Sequence, residues 1–259
     1  MNFIDSHIHL DDEQYREDLD QILSTLRDHG VLYCVHPGCD LESSIFAVDL
    51  AHSKEAIYAC VGSHPHEAKY YDLFTEKQYR DLAREEKKVV AIGEIGLDYH
   101  YDFSPREKQK LVFQKQLDLA RELDLPVVIH CREAAEDCYR IVKDYHDLKI
   151  LMHSFNEEEK WQDLFLELGV SFSISGMVTF KNNQYVPELV EKAPLEKLLA
   201  ETDGPYLAPI PFRGKRNLPW YTKYVIEKIA EIKGLSFEEV AQVTRDNAID
   251  FFCLKEVQE

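Results

Sequence analysis

Short apolar runs alternate along the chain with longer segments in which apolar residues recur every three or four positions. The first run, Asn2-Phe3-Ile4, leads into Asp5-Ser6-His7-Ile8-His9. Tyr15, Leu19, Ile22, Leu23 and Leu26 then repeat at helical spacing, predicting a helix over 13–29 that Gly30 is placed to stop. The rhythm continues with strands over 31–35, 57–61, 89–92, 127–130, 150–153, 170–174 and 198–201. The helices expected between them cover 41–53, 75–87, 105–123, 134–145, 157–168 and 185–192. Counting the first run, that makes eight strands. They are short and carry few polar positions, as parallel strands buried on both faces do. Eight such units predict a (β/α)8 TIM barrel, a single domain over 1–259, with an open doubly wound sheet as the alternative. Two helices follow the eighth strand, over 219–232 and 236–252, one more than the barrel needs. The extra C-terminal helix is expected to pack outside, and Ser236-x-x-Glu239 suits a capping box at its start.

Composition narrows the class without naming the chemistry. With 45% hydrophobic and 30% charged residues, the 259-residue chain has material for a substantial core. No apolar run reaches the roughly 18 residues a membrane helix needs, and the start lacks a signal peptide's basic and apolar segments, so a cytoplasmic location without membrane partners is expected. Six cysteines form no C-x-x-C pair and read as reduced thiols. A formal charge of −18 argues against a protein that coats nucleic acid electrostatically. It leaves room for an enzyme acting on one through bound cations and a local basic loop.

Candidate chemistry gathers at the strand ends. His7 and His9 are two apart in an extended segment, so both imidazoles project from one face. His64 follows the third strand, Glu94 the fourth, His130 ends the fifth, His153 the sixth, and Glu201 and Asp203 follow the eighth. A lone histidine there would be an ordinary hydrogen-bonded residue and a lone glutamate a helix cap. In a barrel, however, the C-terminal strand ends form one rim, so residues far apart in sequence converge. Four histidines and two carboxylates exceed what one tetrahedral ion uses and suit a two-metal centre bridged by a carboxylate.

In order along the chain stand Asp5-Ser6-His7-Ile8-His9-Leu10-Asp11, Gly62-Ser63-His64-Pro65-His66, Gly93-Glu94-Ile95-Gly96-Leu97-Asp98-Tyr99, Val128-Ile129-His130-Cys131-Arg132 and His153-Ser154-Phe155. Ser175-Gly176-x-x-Thr179-Phe180, Glu201-Thr202-Asp203-Gly204-Pro205-Tyr206-Leu207 and Arg213-Gly214-Lys215-x-Asn217-x-Pro219 complete the set. The set resembles the TatD family of metal-dependent deoxyribonucleases, barrel hydrolases of the amidohydrolase type. The resemblance runs nearly end to end. It departs only beside the ligand positions: between the first two histidines, between His153 and Phe155, and at Gly204, where a serine is frequent. It implies that His7, His9 and Asp203 hold one metal, that His130 and His153 hold a second, and that Glu94 bridges them. Two divalent ions are therefore expected, with Mg, Mn, Zn, Co or Ni all compatible with the donors.

The expected activity is hydrolysis of DNA ends or nucleotide-like phosphodiesters, with Glu94 and Asp203 catalytic and Asp203 taking the proton from the attacking water. Because family members are also assigned to aminoacyl-tRNA proofreading, a metal-dependent ester or amide hydrolase is the alternative. The loop Pro211-Phe212-Arg213-Gly214-Lys215-Arg216-Asn217 gathers cations beside Asp203, and Arg213, with its planar fork, is the expected phosphate contact. His64 is expected to hydrogen-bond a substrate phosphate rather than a metal, with His66 a second candidate. Tyr99, Tyr101 and Phe180 are candidates for stacking on a base or sugar. His29, His36, His52, His100 and His146 have no such placement, and no obligate protein partner is evident.

Overall fold

The computed structural model describes residues 2–255. Eight parallel strands, β1 (Phe3–Asp5), β2 (Val31–Pro37), β3 (Ile57–Val61), β4 (Val89–Asp98), β5 (Val127–Arg132), β6 (Ile150–His153), β7 (Ser171–Ile174) and β8 (Leu198–Ala200), pair in chain order in one sheet. Helices α1 (Leu19–Thr25), α2 (Leu41–Ser53), α3 (Leu73–Glu85), α4 (Arg106–Leu123), α5 (Ala135–Val142), α6 (Glu159–Glu167), α7 (Tyr185–Lys192) and α8 (Thr222–Lys233) follow their strands, and α9 (Phe237–Phe252) is the additional C-terminal helix. The architecture is the TIM barrel that the alternation predicts. No helix of the described residues is long and apolar enough to cross a membrane.

Closure between β8 and β1 rests on the segments just beyond the strands. Ser6 donates to the Ala200 carbonyl through both its N–H (3.1 Å) and its Oγ (3.0 Å), the Asp203 N–H reaches His7 O at 2.9 Å, and the His9 N–H reaches Gly204 O at 2.8 Å. The buried Asp5 carboxylate accepts from the Thr202 N–H at 2.8 Å and from its hydroxyl. These bonds carry His7, His9 and Asp203 in register across the seam, so closing the barrel also assembles part of the site.

Three expectations need correction. The helix over 13–29 is instead a 3-10 turn at Glu13–Tyr15, the short α1 and a second 3-10 turn at Arg27–His29. Tertiary contacts break it: the buried Tyr15 hydroxyl donates to Asn217 O at 2.6 Å, and Arg216 grips the Asp18 carboxylate at 2.7 and 2.8 Å. Gly30 does end the segment, at φ 83°. α3 starts two residues before the expected 75, because the Asp72 carboxylate caps it by accepting from the Thr75 N–H at 2.9 Å. Finally, α9 does not simply lie on the outer wall. Val128 and Leu151 precede His130 and His153 by two residues and so share their inward face. They belong to a cluster with Ile4, Tyr58, Cys60, Leu199 and the α9 residues Phe251 and Phe252. The end of α9 therefore stops the barrel opposite the histidine rim. Ser236 Oγ caps this helix from the Glu239 N–H at 3.2 Å.

Candidate metal centre

β4 is ten residues long, not four, and its pairing with β5 skips between Ile92 and Ile95. Gly93 and Glu94 sit in that break, and the Glu94 N–H bonds Gly38 O at 2.9 Å, beyond the end of β2. A Cβ on Gly93 would stand 2.8 Å from that of Val128, and one on Gly96, at φ 137°, would strike the His130 carbonyl. Only glycines let this stretch of β4 press against β5 closely enough to bury the Glu94 carboxyl.

Glu94 is the hub. Its Oε2 lies 3.3 Å from His7 Nε2 and 3.7 Å from His9 Nε2, and its Oε1 lies 2.9 Å from both His130 Nδ1 and His153 Nε2. Asp203, held at φ 55° in a left-handed conformation that aspartate tolerates, puts Oδ1 3.4 Å from His9 Nε2 and 3.8 Å from His7 Nε2. His7 Nε2 and His9 Nε2 are 3.3 Å apart. All six expected metal ligands thus cluster around the Glu94 carboxylate.

The separations test whether this donor set fits cations. Donors each about 2.0–2.1 Å from a tetrahedral ion stand roughly 3.3–3.4 Å from one another. His7, His9, Glu94 Oε2 and Asp203 enclose one point at edges of 3.3–3.8 Å, and His130, His153 and Glu94 Oε1 a second at 2.9–3.5 Å. Imidazoles and carboxylates at these separations form a donor set that fits divalent cations.

Tautomers sort ligands from bystanders. His153 turns Nδ1 to the buried Glu201 carboxylate at 3.3 Å, and His130 turns Nε2 to Asp98 Oδ2 at 3.0 Å. Each carboxylate holds a ring proton on its own side, so the nitrogen turned to Glu94 is the one that would offer its lone pair to a cation. His64, whose Nε2 is 3.6 Å from Glu94 Oε1, groups with Glu94 and His130 by distance alone. Its Nδ1, however, accepts from the His66 N–H at 3.2 Å, so the neutral ring carries its proton on Nε2 and presents a donor to the cavity. Geometry favours His64 as a hydrogen-bond donor over a ligand.

Burial penalises the Glu94 carboxylate, yet His153, His64 and His130 outweigh that and hold it well below the usual carboxylate range. Asp203 is likewise held down against burial, chiefly by His9. The His64 imidazole is pushed well below its ordinary value by burial and by His130, which keeps it neutral. His153 moves the other way, raised by Glu94 and Glu201 against its burial.

The basic loop divides. Arg216 is spent on Asp18, whereas the exposed Arg213 stacks its guanidinium 3.7 Å over the Phe180 ring. Arg213 lines a cleft of about 510 Å³ with Asn156, Phe180, Asn183, Tyr185 and Ile210, between the loops that follow β6, β7 and β8. Tyr99 is engaged with Asp137 at 2.7 Å and lies under Arg106, which removes it from the stacking candidates. His66 donates from Nε2 to Asp98 Oδ2 at 3.0 Å. Asp98 and Glu201 are the functional positions that sequence reasoning left without a role. Asp98 lies at an even spacing of four from Glu94, but the strand was expected to end before it.

A barrel whose rim gathers four imidazoles around a shared carboxylate, with acidic partners fixing their tautomers, has the build of a metal-dependent hydrolase. Residues 4–253 match the family model described as TatD related DNase, and the chain belongs to that family of metal-dependent hydrolases. It is 41% identical to a Bacillus subtilis protein named uncharacterized metal-dependent hydrolase YabD, across 96% of this chain and 98% of that one. It is 36% identical to the Escherichia coli uncharacterized metal-dependent hydrolase YcfH, across 97% and 96%. The crystal structure of YJJV, a TatD homolog from Escherichia coli, superposes with a TM-score of 0.91 at 28% identity, covering 98% of both chains.

Proposed function

We propose that the chain is a single-domain phosphodiesterase that hydrolyses DNA ends with two divalent cations, which His7, His9, His130, His153, Asp203 and a shared Glu94 would hold. One observation carries the reading: the two Glu94 oxygens face two separate imidazole pairs, His7 with His9 and His130 with His153. Divalent cations held there supply Lewis acidity, stabilising charge on phosphoryl oxygens and acidifying water.

The chain's own groups do the rest. Asp203, kept ionised by His9, accepts the proton as water attacks phosphorus and the P–O bond to the sugar breaks, and the leaving sugar oxygen takes up a proton from Asp203 or from solvent. His64 donates its Nε2 proton in a hydrogen bond to a non-bridging phosphate oxygen, and its neutrality suits a donor that must not compete with the ions. Arg213, already oriented by Phe180, receives the next phosphate along the strand. The family's description, TatD related DNase, supports the reading further.

The test is a metal-titrated assay of the purified protein on 3′- and 5′-labelled single-stranded DNA, run beside a charged tRNA, with ion content measured on the same samples. Metal-dependent release of nucleotides with two ions per chain is expected. Deacylation of the tRNA with no cleavage of DNA would replace the reading with its ester-hydrolase alternative.

A further inference from the structure

Three large aromatic side chains stand exposed beside the metal centre: Tyr70 at 69%, Tyr101 at 48% and Phe103 at 56%. None of them completes the core. Tyr101 and Phe103 lie in the loop between β4 and α4 and stack on each other, with ring centroids 5.2 Å apart and an interplanar angle of 20°. The His66 ring meets both edge-on, at 5.5 and 4.8 Å.

The loop is fixed, not adrift. Ser104 Oγ donates to His66 O at 2.7 Å and accepts from the Lys69 N–H at 3.0 Å, while Lys69 Nζ donates to Phe103 O at 2.9 Å. Cations overlie the rings: the Arg132 guanidinium is 5.0 Å from the Tyr101 centroid and Lys69 Nζ 5.0 Å from that of Tyr70. In a chain of charge −18, Arg132 is exposed and pairs with no carboxylate among the described residues. The link to the centre is short. His66 Nε2 meets Asp98 Oδ2 at 3.0 Å, and the same oxygen meets His130 Nε2 at 3.0 Å.

We propose that Tyr101 and Phe103 form a stacking platform for unpaired nucleobases, which holds a single strand while its phosphate lies at the metal centre. The inference rests on the phosphodiesterase reading. Exposed aromatic faces flanked by cations match the two features of a single strand, flat bases and anionic phosphates, and they bind it with little sequence preference. A paired duplex hides its base faces everywhere except at its ends, so the platform selects single strands and frayed termini. The occupant is therefore a nucleic-acid strand, because an acidic or purely apolar protein surface would use only half of what is displayed.

The experiment compares metal-loaded wild type with the Tyr101→Ala/Phe103→Ala double variant. Binding is followed by fluorescence anisotropy on a cleavage-resistant phosphorothioate thymidine decamer and on the same backbone carrying abasic sugars. Wild type should prefer the base-bearing strand, and the double variant should lose roughly ten- to a hundredfold of its affinity for that strand and little for the abasic one. The Tyr101→Phe/Phe103→Tyr exchange should restore binding. Metal content and turnover of methyl 4-nitrophenyl phosphate should stay at the wild-type level in every variant. Equal affinity of wild type for the two strands, or unchanged affinity in the double variant, overturns the platform. A wild type that hydrolyses no phosphodiester yet discriminates bases keeps the platform and overturns the hydrolytic reading.

Discussion

Replacing Glu201 separates a residue that positions a ligand from one that merely fills space. Its side chain is fully buried, one oxygen lies 3.3 Å from His153 Nδ1, and the other has no hydrogen-bond partner among the described residues. The Nδ1–H that donates to Glu201 is what leaves His153 Nε2 free, 2.9 Å from Glu94 Oε1. Glu201→Gln keeps an acceptor of nearly the same shape and removes the charge that makes the imidazole a stronger donor to a cation. Loss of such an outer partner costs typically about 10- to 100-fold in metal affinity, or roughly 1.4–2.7 kcal/mol. Glu201→Leu removes the acceptor altogether and strands a buried N–H, adding about 1–3 kcal/mol. The graded order wild type, Gln, Leu is therefore expected for the ion bound by His130 and His153, with the ion bound by His7, His9 and Asp203 little changed. Isothermal titration of the metal-free protein resolves the two binding steps, and turnover on labelled DNA reports whether the weakened site limits the reaction. Two variants with wild-type affinity at both steps, or with both sites weakened equally, would refute the positioning role.

Glu94→Gln should lower binding of both ions together, since each oxygen serves a different pair of histidines, and elemental analysis after dialysis would expose a variant that keeps one site intact. Asp203→Asn should retain the ion at His130 and His153 but reduce kcat by about 10²–10⁴, the usual worth of a positioned base; near-normal kcat in the folded variant ends that assignment. Arg213→Ala should raise KM for DNA by roughly ten- to a hundredfold while metal content holds, as expected for a lost charge-assisted contact of about 1.5–3 kcal/mol; an equal loss on a small neutral ester would count against phosphate binding. His36 is fully buried, bonds Ile8 O at 3.1 Å, and burial lowers its pKa to about 3. A depressed folded value stabilises fully above the unfolded value of about 6.5, and that contribution drains away as pH falls from about 6.5 toward 3. The stability difference between wild type and His36→Gln in urea should shrink across that window, and a difference independent of pH would contradict it.

The sequence by itself carried the barrel and most of its rim. Short apolar runs alternating with helical segments read as parallel strands buried on both faces, and eight of them favoured a closed barrel over an open doubly wound sheet. Histidines at i and i+2 in an extended segment must share a face, so His7 and His9 were legible together, and Glu94, His130, His153 and Asp203 followed from strand ends meeting on one rim. What local periodicity cannot express is where a ladder breaks or which nitrogen a distant carboxylate captures. The slip at Gly93-Glu94 that lengthens β4 and brings Asp98 beneath His130 depends on the approach of β5. The division of Arg213 from Arg216, neighbours of equal charge, was settled by Asp18 and Phe180, which the chain brings in from opposite ends. The helix expected over 13–29 was broken by bonds from residues 216 and 217, some two hundred positions away. Propensity is summed over neighbours in sequence, whereas a buried tyrosine hydroxyl or a paired carboxylate is satisfied only by whatever the closed barrel places next to it.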